Sequence, residues 1–374
     1  MKLNVTNYMS AIILTAQSMS GLSAQETKPA EDMMTFPMQF SIVYPMTTQG
    51  AQTVNYRYHL SFNLFLGKVG AVKGVEFGSF FNQVEHDVEG VQFGGLANRT
   101  PELKGVQFGG LGNAAKTITG IQFGGIANIS ESTKGIQFGG IANINEHTNG
   151  LQFGGIANVT DKSEGVQFAG IANISNEVSG ISFGGIVNRT GTLRGVQFGG
   201  IVNVIDTIEK GVSIALVNIV KKGFYNEWTL TFADYLNVGL SYKMGIQKFY
   251  SIFTAGANFM EDKMLVFGFG FGNRTVINRR FDFQPEIISY QYFPTNFKNV
   301  RNISDNHLKF GFICKLNHRL GIVIAPSVYH YGTDMDENRN YYKLSPISPF
   351  YQIERNNMQH SIGMGISVGL ILQN

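Results

Sequence analysis

The chain has 374 residues, of which 15% are charged, and it carries 45 glycines, 30 phenylalanines and a formal net charge of +3. Ordinary soluble domains contain about 25% charged residues and about 7% glycine, and disordered chains are more polar still. The small net charge excludes the basic footprint of a nucleic-acid-binding protein. The single cysteine, Cys314, excludes a disulfide framework and cysteine-based zinc sites. The composition therefore favours a β-architecture or a membrane barrel.

Residues 1–24 have the features of a secretory signal peptide. Lys2 gives a positive start, an apolar stretch begins at Met9, and Ser23 and Ala24 provide small residues at the cleavage position. This pattern predicts an exported protein, and the alternative is a disordered N-terminal segment. No other segment approaches the roughly 20 consecutive apolar residues of a transmembrane helix. We therefore expect any membrane insertion to take the form of a closed β-barrel.

Ten tandem units organise the middle of the chain, and the interior units are spaced by 15 residues. The best-kept unit begins at Gly120 and reads Gly-Ile-Gln-Phe-Gly-Gly-Ile-Ala-Asn. Strand side chains alternate between two faces, so in a continuous strand Ile121 and Phe123 would lie on one face and Ile126 on the other. A bend at the paired glycines, which glycine tolerates, would place all three on the same face. The repeats predict a β-solenoid of about ten coils over residues 59–223; the alternative makes each repeat one strand of a larger membrane barrel.

In a solenoid, equal positions of successive coils stack about 4.8 Å apart and form ladders of like side chains. We expect the phenylalanine at the fourth position and the apolar residues at the second and seventh positions to point inward. The asparagine at the ninth position is expected to form a structural ladder at a second corner. The predicted structural ladders comprise Phe93, Phe108, Phe123, Phe138 and Phe153, and Asn98, Asn113, Asn128, Asn143 and Asn158.

Glutamine at the third position lies between two residues that are predicted to point inward, and it is therefore expected to point outward. The resulting stripe is a candidate outer binding surface for an extended glycan or for another envelope protein. It comprises Gln92, Gln107, Gln122, Gln137, Gln152 and Gln167. The alternative is a solvated face that binds nothing.

Residues 224–374 contain longer runs in which apolar and small residues alternate, as in a small antiparallel meander barrel. The last run, Ile362 to Leu370, alternates with glycine and serine. If the aromatic face points outward, this domain is an outer-membrane barrel of about eight strands with outer-membrane lipid as its partner. If it points inward, a soluble barrel or sandwich results. Strands in residues 25–58 are expected to pack with this C-terminal domain.

The tandem Gly-Val-Gln-x-Gly-Gly-Leu/Ile-x-Asn units, followed by a β-rich region, resemble those of bacterial secreted surface-repeat proteins. The resemblance covers residues 59–223 in detail and the later residues only in general character. It implies a protein exported to the outer membrane or cell surface, and it brings no catalytic residues.

No motif of enzymatic chemistry accompanies this architecture. The seven histidines show no metal-ligand spacing, and no phosphate-binding glycine loop occurs. The two GxSxG matches, at 180–184 and 365–369, fall within a repeat unit and an alternating run, so no nucleophile elbow between a strand and a helix is expected. We expect no catalytic residue, metal or cofactor. The sequence therefore predicts an all-β, non-enzymatic cell-envelope protein with a structural or binding role, anchored by its C-terminal barrel. The alternative is an outer-membrane porin or transporter in which the repeats themselves cross the membrane.

Overall fold

The computed structural model describes residues 32–259, 263–295, 303–334, 344–355 and 358–373. The predicted signal peptide, residues 1–24, lies outside this part of the chain. The fold is nearly all β, with a β-solenoid followed by a closed eight-stranded antiparallel barrel, as the sequence predicts. Two compact units, Met1–Gly211 and Val212–Asn374, divide the chain, so the second unit begins before the predicted boundary at residue 223.

Parallel pairing between successive coils builds the solenoid, which has about eleven turns. In the interior coils, paired residues are 15 positions apart, as Gln122 is from Gln137 and Phe123 from Phe138. The alternative in which neighbouring repeats are antiparallel membrane strands is therefore wrong. The strands of the first unit are β1 (Met34–Val43), β2 (Met46–Thr47), β3 (Tyr56–Val69), β4 (Ala71–Gly78), β5 (Phe81–Val84), β6 (Asp87–Gly94), β7 (Ala97–Gly109), β8 (Gly112–Gly124), β9 (Ala127–Gly139), β10 (Ala142–Gly154), β11 (Ala157–Ala169), β12 (Ala172–Gly184), β13 (Val187–Leu193), β14 (Val196–Gly199) and β15 (Val202–Ile208), with a 3₁₀ helix at Gly50–Asn55.

Three changes of direction give each coil three sides. The first is at the glycine pair, because β8 ends at Gly124 and β9 begins at Ala127. The second is at the twelfth position, where the ladder between β10 and β11 skips Glu146. The third is at the first glycine of the unit, which has a φ of +150° at Gly120, and a Cβ atom there would overlap the carbonyl oxygen of Gly105. We call positions two to five side one, seven to eleven side two and twelve to fifteen side three.

The first strand, β1, belongs to the solenoid. It is hydrogen-bonded in parallel to β3, with Phe40 opposite Phe62. The prediction that residues 25–58 pack with the C-terminal domain is therefore wrong for the described part of that segment. Alternating apolar residues are common to strands of both units, so the sequence pattern alone does not distinguish the two partners.

Apolar side chains fill the interior of the first unit mainly at its two ends. One buried cluster contains Tyr58, Val69, Val72, Val84, Val88, Leu103 and Ile118, and the other contains Val178, Leu193 and Ile205. Between these clusters the buried side chains are mostly amides and hydroxyls. The middle of the solenoid therefore depends on hydrogen bonds for its internal order.

An antiparallel meander forms the barrel of the second unit, and β27 pairs with β18 to close it. The short strands β22 and β26 lie beside β23 and β27. Within the described residues, no helix has the length and apolar character needed to cross a membrane. The second unit also contains β16 (Val212–Ile214) and β17 (Val217–Lys222), which are not part of the barrel sheet. The eight barrel strands are β18 (Tyr225–Ala233), β19 (Val238–Ile246), β20 (Phe249–Asn258), β21 (Met264–Gly272), β23 (Phe281–Pro294), β24 (Ile303–Lys315), β25 (Leu320–Asp334) and β27 (Met358–Gln373), and the two short strands are β22 (Thr275–Val276) and β26 (Tyr351–Arg355).

The two ends of the barrel differ in their connections. The chain enters and leaves at one end, where Glu227 of β18 stands opposite Gln373 of β27. We call this the entry end; it also carries the connections 247–248, 273–280 and 316–319. The opposite end, which we call the loop end, is where β18, β20, β23 and β25 end and where β19, β21, β24 and β27 begin, and the interval between β25 and β27 is the longest in sequence. The longest connection is therefore at the loop end.

Candidate functional site

The glutamines at the third position lie inside the solenoid, so the predicted outer stripe is wrong. Gln122 has 0% exposure; its Nε2 donates to Gln107 Oε1 (2.8 Å), and its Oε1 accepts from Gln137 Nε2 (3.0 Å). The same bond joins neighbouring members along the array. The fully buried glutamines include all those of the predicted stripe, namely Gln92, Gln107, Gln122, Gln137, Gln152 and Gln167. These side chains are therefore inaccessible to a glycan or another protein.

The asparagines at the ninth position form a second buried ladder. Asn128 Nδ2 donates to Asn143 Oδ1 (2.9 Å) and also to the carbonyl oxygen of Phe138 in the next coil (2.8 Å). The same two bonds recur at Asn98, Asn113, Asn143 and Asn158. Asparagine amides donate towards the C-terminal coil and glutamine amides towards the N-terminal coil, so the dipoles of the two ladders oppose each other.

A carboxylate ends the glutamine ladder at its N-terminal side. Glu76 is buried and accepts hydrogen bonds from Gln92 Nε2 (2.7 Å), Asn63 Nδ2 (2.9 Å) and Ser61 Oγ (3.0 Å). Burial raises the pKa of Glu76 from 4.5 to about 7, although the three donors lower it. Glu76 therefore supplies the terminal acceptor for the chain of amide donors.

The phenylalanine ladder lies on the outside of the solenoid, so the predicted inward orientation of its rings is wrong. Phe93 is 37% exposed, and Ile126, which was also predicted to point inward, is 45% exposed. The rings stack on one another with centroids 4.9–5.0 Å apart and planes within 7° from Phe93 to Phe153. The stacked members are Phe93, Phe108, Phe123, Phe138 and Phe153.

Steric fit between side one and side two explains this inversion. A Cβ atom at Gly124 would come within 2.8 Å of Asn128 Oδ1, so the buried asparagine leaves little room at the fifth position. A small residue stands there, glycine in most units and alanine at Ala169. Because strand side chains alternate, Gln122 shares the inward face with Gly124, and Phe123 takes the outward face. Burial of the asparagine ladder therefore decides which residues of side one point into the coil.

An apolar groove runs along the outside of the solenoid between the phenylalanine ladder and the glycine pairs. It has a volume of about 1240 Å³ and is lined from Gly78 to Gly200 by phenylalanine, glycine and Ala169. We call it the Phe–Gly groove. Because each ring face is covered by the next ring, the ladder presents ring edges and lacks the free faces on which sugars stack. Charged residues are concentrated on side three; between Gly90 and Lys210, sides one and two carry only Arg99 and Arg189.

The barrel lumen contains a network of buried ion pairs near the entry end. Glu227 contacts Lys243 Nζ (2.8 Å) and Arg274 Nη1 (2.6 Å), Glu286 contacts Lys243 Nζ (2.6 Å), and Asp282 contacts Arg274 Nη2 (2.8 Å). Each of these carboxylates has a basic partner, as buried charges require. The interior of an eight-stranded barrel is just wide enough for its own side chains, so this network fills that part of the lumen.

A second polar cluster lies in the lumen towards the loop end. His307 Nε2 is 2.9 Å from Asp305 Oδ2, and His307 Nδ1 is 3.1 Å from Ser327 Oγ. The hydroxyl of Tyr292 donates to Asp305 Oδ2 (2.8 Å), and the ring of Tyr235 lies 3.8 Å from the imidazole centroid. The order acid, imidazole, hydroxyl is that of a hydrolytic triad. However, the adjoining cavity is lined by Asp305 and His307 and not by Ser327, so the hydroxyl does not face a substrate.

Sequence reasoning missed both luminal clusters. The spacing of Asp305 and His307 by two places them on one face of a strand, and this is the signal that could have paired them. Ser327 joins them only through the register between β24 and β25. Within the ranges that the structure describes, no group of three His, Cys, Asp or Glu residues is arranged to hold a metal ion.

Comparisons of the chain with protein-family models, with curated proteins and with solved structures gave no match. Its function must therefore be inferred from the surfaces and interiors of the two units.

Proposed function

We propose that the protein is a non-enzymatic, exported component of the cell envelope, whose barrel inserts in the outer membrane and whose solenoid has a structural or binding role. The observation that carries the proposal is the charge distribution on the eight barrel strands. Every Asp, Glu, Lys and Arg on these strands has its side chain on the luminal face, except Asp334, the last residue of β25. A barrel in water would have the opposite distribution.

The outer face of the barrel forms an apolar belt. Its exposed side chains include Trp228, Phe232, Leu240, Phe267, Ile287, Leu308, Phe312, Ile324, Val328, Met364, Ile366, Val368 and Leu370. Outward polar residues such as Asn306 and His330 lie nearer the loop end. An apolar belt of this kind is what lipid selects, whereas soluble monomers rarely expose large contiguous apolar surfaces.

The barrel connections also favour one orientation in the membrane. Outer-membrane barrels have short periplasmic turns and longer extracellular loops. By this rule the loop end, with its long connection 335–357, faces the outside, and the entry end faces the periplasm. The chain before Tyr225, which includes the solenoid, then enters the barrel from the periplasmic side. In this proposal the solenoid works within the envelope rather than at the cell surface.

We assign the binding role of the solenoid to the Phe–Gly groove. Its lining of aromatic rings and glycines offers apolar contact and few polar groups, which suits another envelope protein better than a glycan. The resemblance to secreted surface-repeat proteins supports an exported protein but names no ligand. The proposed partners are therefore outer-membrane lipid at the barrel and an apolar protein surface at the groove.

Membrane insertion is tested with two outward arginine substitutions in the full chain. Ile324→Arg places a charge in the apolar belt, where it should cost about 2–4 kcal/mol, whereas Asn306→Arg places the same charge on an outward residue nearer the loop end. We expect Ile324→Arg to lower the carbonate-resistant, heat-modifiable fraction of the protein and Asn306→Arg to leave it near wild type. Wild-type protein that remains soluble after carbonate extraction, or equal behaviour of the two variants, would contradict the proposal.

The orientation is tested by labelling single cysteines with a membrane-impermeant maleimide in a Cys314→Ser background. In intact cells, we expect Ile347→Cys in the long connection to react. His318→Cys at the entry end and Ser132→Cys on side three of the solenoid should react only after the outer membrane is permeabilised. Labelling of Ser132→Cys in intact cells would reverse the assigned orientation while leaving membrane insertion intact.

A further inference from the structure

The Phe–Gly groove has an open floor that no side chain of its own coil can fill. Gly125 and Gly140, at the sixth position, are exposed, and a Cβ atom at Gly140 would overlap the carbonyl oxygen of Gly125. The phenylalanine rings stand beside this floor as a continuous ridge, with 4.8–5.1 Å between successive centroids from Phe93 to Phe198. The solenoid therefore carries a ridge and a groove side by side, and both repeat once per coil.

The size of the groove matches a second ladder of phenyl rings. Eight phenylalanines line it, from Phe93 to Phe198. Its volume of about 1240 Å³, divided among these eight coils, gives roughly 155 Å³ for each coil, and a cavity of about 150 Å³ accommodates one benzene molecule. Each coil thus has room for one phenyl ring. The phenylalanine ladder of another solenoid supplies such rings at the same spacing.

We propose that the groove is occupied by the phenylalanine ladder of a second copy of this chain, in a parallel two-fold dimer. This inference rests on the proposed binding role of the groove and names its partner. A two-fold axis parallel to the solenoid axis exchanges left and right on the facing surfaces, so each ridge faces the groove of the other copy. A two-fold axis across the solenoid would instead set ridge against ridge.

The parallel arrangement is also compatible with the proposed location. Two solenoids that run in the same direction have their last coils at the same end, so both chains leave towards their barrels on the same side of the dimer. Two barrels that insert in one membrane require this. An antiparallel pair would send the two chains out at opposite ends.

Charge does not oppose the contact between two copies. Between Gly90 and Lys210, the charged residues on sides one and two are Arg99 and Arg189, both at the tenth position. Four residues of strand, or about 13 Å, separate that position from the groove floor, and Arg189 is paired with Asp206 (3.0 Å). The surface that would be covered is therefore apolar, and the charges of side three stay in water.

The area available is sufficient for a stable dimer. A phenylalanine side chain has about 150–250 Å² of surface, and about a third of each ring is exposed, as at Phe93 (37%) and Phe138 (36%). Eight rings in each copy therefore offer roughly 1,100 Å² in total. The residues that follow the glycine pair, such as Ile126 and Ile141, are 44–45% exposed and add to this area. The sum reaches the range of about 1,200–2,000 Å² that is typical of stable interfaces.

The first test measures the mass of the full-length protein in detergent micelles by size-exclusion chromatography with light scattering. We expect the wild type to be a dimer. Phe138→Asp places a carboxylate in the apolar contact of both copies, where it has no partner, and should raise the dissociation constant of the dimer at least about tenfold. The control Asn149→Asp adds the same charge to side three of the same coil and should leave the dimer intact. A monomeric wild type, or equal dissociation of the two variants, would overturn the proposal.

The second test locates the contact and its direction without adding a charge to the groove. In a Cys314→Ser background, Phe93→Cys and Phe183→Cys are treated separately with a short bismaleimide, and cross-linked dimers are detected on denaturing gels. Equal coils face each other in a parallel dimer, so we expect each variant to cross-link to itself. In an antiparallel dimer the two equal residues would be roughly 30 Å apart, the distance along the ladder from Phe93 to Phe183.

The control for cross-linking is Asn149→Cys on side three, which should remain monomeric on the gel. Absence of the cross-link in either ladder variant, or equal cross-linking of Asn149→Cys, would overturn the parallel dimer. These measurements also separate the dimer from the proposed function. A monomeric protein in the carbonate-resistant fraction overturns the dimer alone, whereas a soluble protein that dimerises through Phe138 overturns membrane insertion alone. A monomer whose groove binds a different apolar protein overturns the second copy as the partner and retains the binding role.

Discussion

Replacing a buried amide of the solenoid with a hydrophobic residue should destabilise it more than replacing an exposed hydrophobic residue with a polar one. Gln122→Leu removes the bond to Gln107 Oε1 and the bond from Gln137 Nε2. Gln137 keeps Asn145 Oδ1 as an acceptor (3.1 Å), but Gln107 Oε1 loses the donor that it has in the native ladder. A buried acceptor without a partner costs about 1–3 kcal/mol. We therefore expect a loss of about 2 kcal/mol.

The matched control is Ile126→Ser, which changes an exposed residue of the same coil. Ile126 is 45% exposed, so this substitution forfeits only part of the roughly 1.5–3 kcal/mol that full burial of an isoleucine provides, and we expect a loss of about 1 kcal/mol or less. Hydrogen exchange of the peptides that span Gly105–Gly139, measured by mass spectrometry on the full chain in detergent, gives the local free energy of opening. A loss for Ile126→Ser that equals or exceeds that for Gln122→Leu would refute the assigned inside and outside of the coil.

Two further predictions concern the same unit. Burial raises the pKa of Glu76 from 4.5 to about 7, so this carboxyl ionises in the unfolded chain at a lower pH than in the folded chain. The free energy of unfolding should therefore fall by about 3 kcal/mol as the pH rises from about 4.5 to about 7, and then stay level. In urea titrations, Glu76→Gln should abolish this fall and the exposed-site variant Glu164→Gln should keep it; a fall that persists in Glu76→Gln would contradict the assignment. Gly120→Ala should destabilise the solenoid by about 3 kcal/mol or more, because alanine is strained at a positive φ and its Cβ atom would overlap the preceding coil. The midpoint of thermal unfolding should therefore drop in Gly120→Ala and change little in the control Thr119→Ala; equal midpoints for the two variants would count against the third corner.

The 15-residue period and the glycine pair were enough to predict the coil, its parallel stacking and its first corner. The predicted orientation of the side chains was wrong, because hydrophobicity was taken to decide which residues point inward. The sequence did contain the relevant signal. A small residue at the fifth position is what an inward asparagine at the ninth leaves room for, as at Gly124 and Asn128, and alternation then carries Gln122 inward. Steric complementarity between two sides of a coil outweighed the apolar character of Phe123 in this case.

The barrel strands were predictable from alternation, but the contents of the lumen were not. Glu227 contacts Arg274, and Lys243 contacts Glu286, between elements that are far apart in the sequence. Such partners depend on the register and closure of the whole barrel, and a single sequence does not specify them. For the same reason the cavity beside Asp305 could not be anticipated, since its lining comes from β24, β25, β26, β27 and two connections.

The middle of the solenoid and the entry end of the barrel lumen share one feature: hydrogen-bonded or ion-paired groups lie inside, while many apolar side chains lie outside. In the solenoid the buried amides hydrogen-bond to one another along the axis, as the backbone groups of neighbouring coils do. The interior therefore needs few apolar contacts to be stable. The apolar residues of sides one and two, such as Phe138 and Ile141, then remain at the surface, while the charges gather on side three. Only side three is composed like an ordinary solvated surface. The gain from contact with an apolar partner is therefore greatest along the other two sides, where the Phe–Gly groove lies.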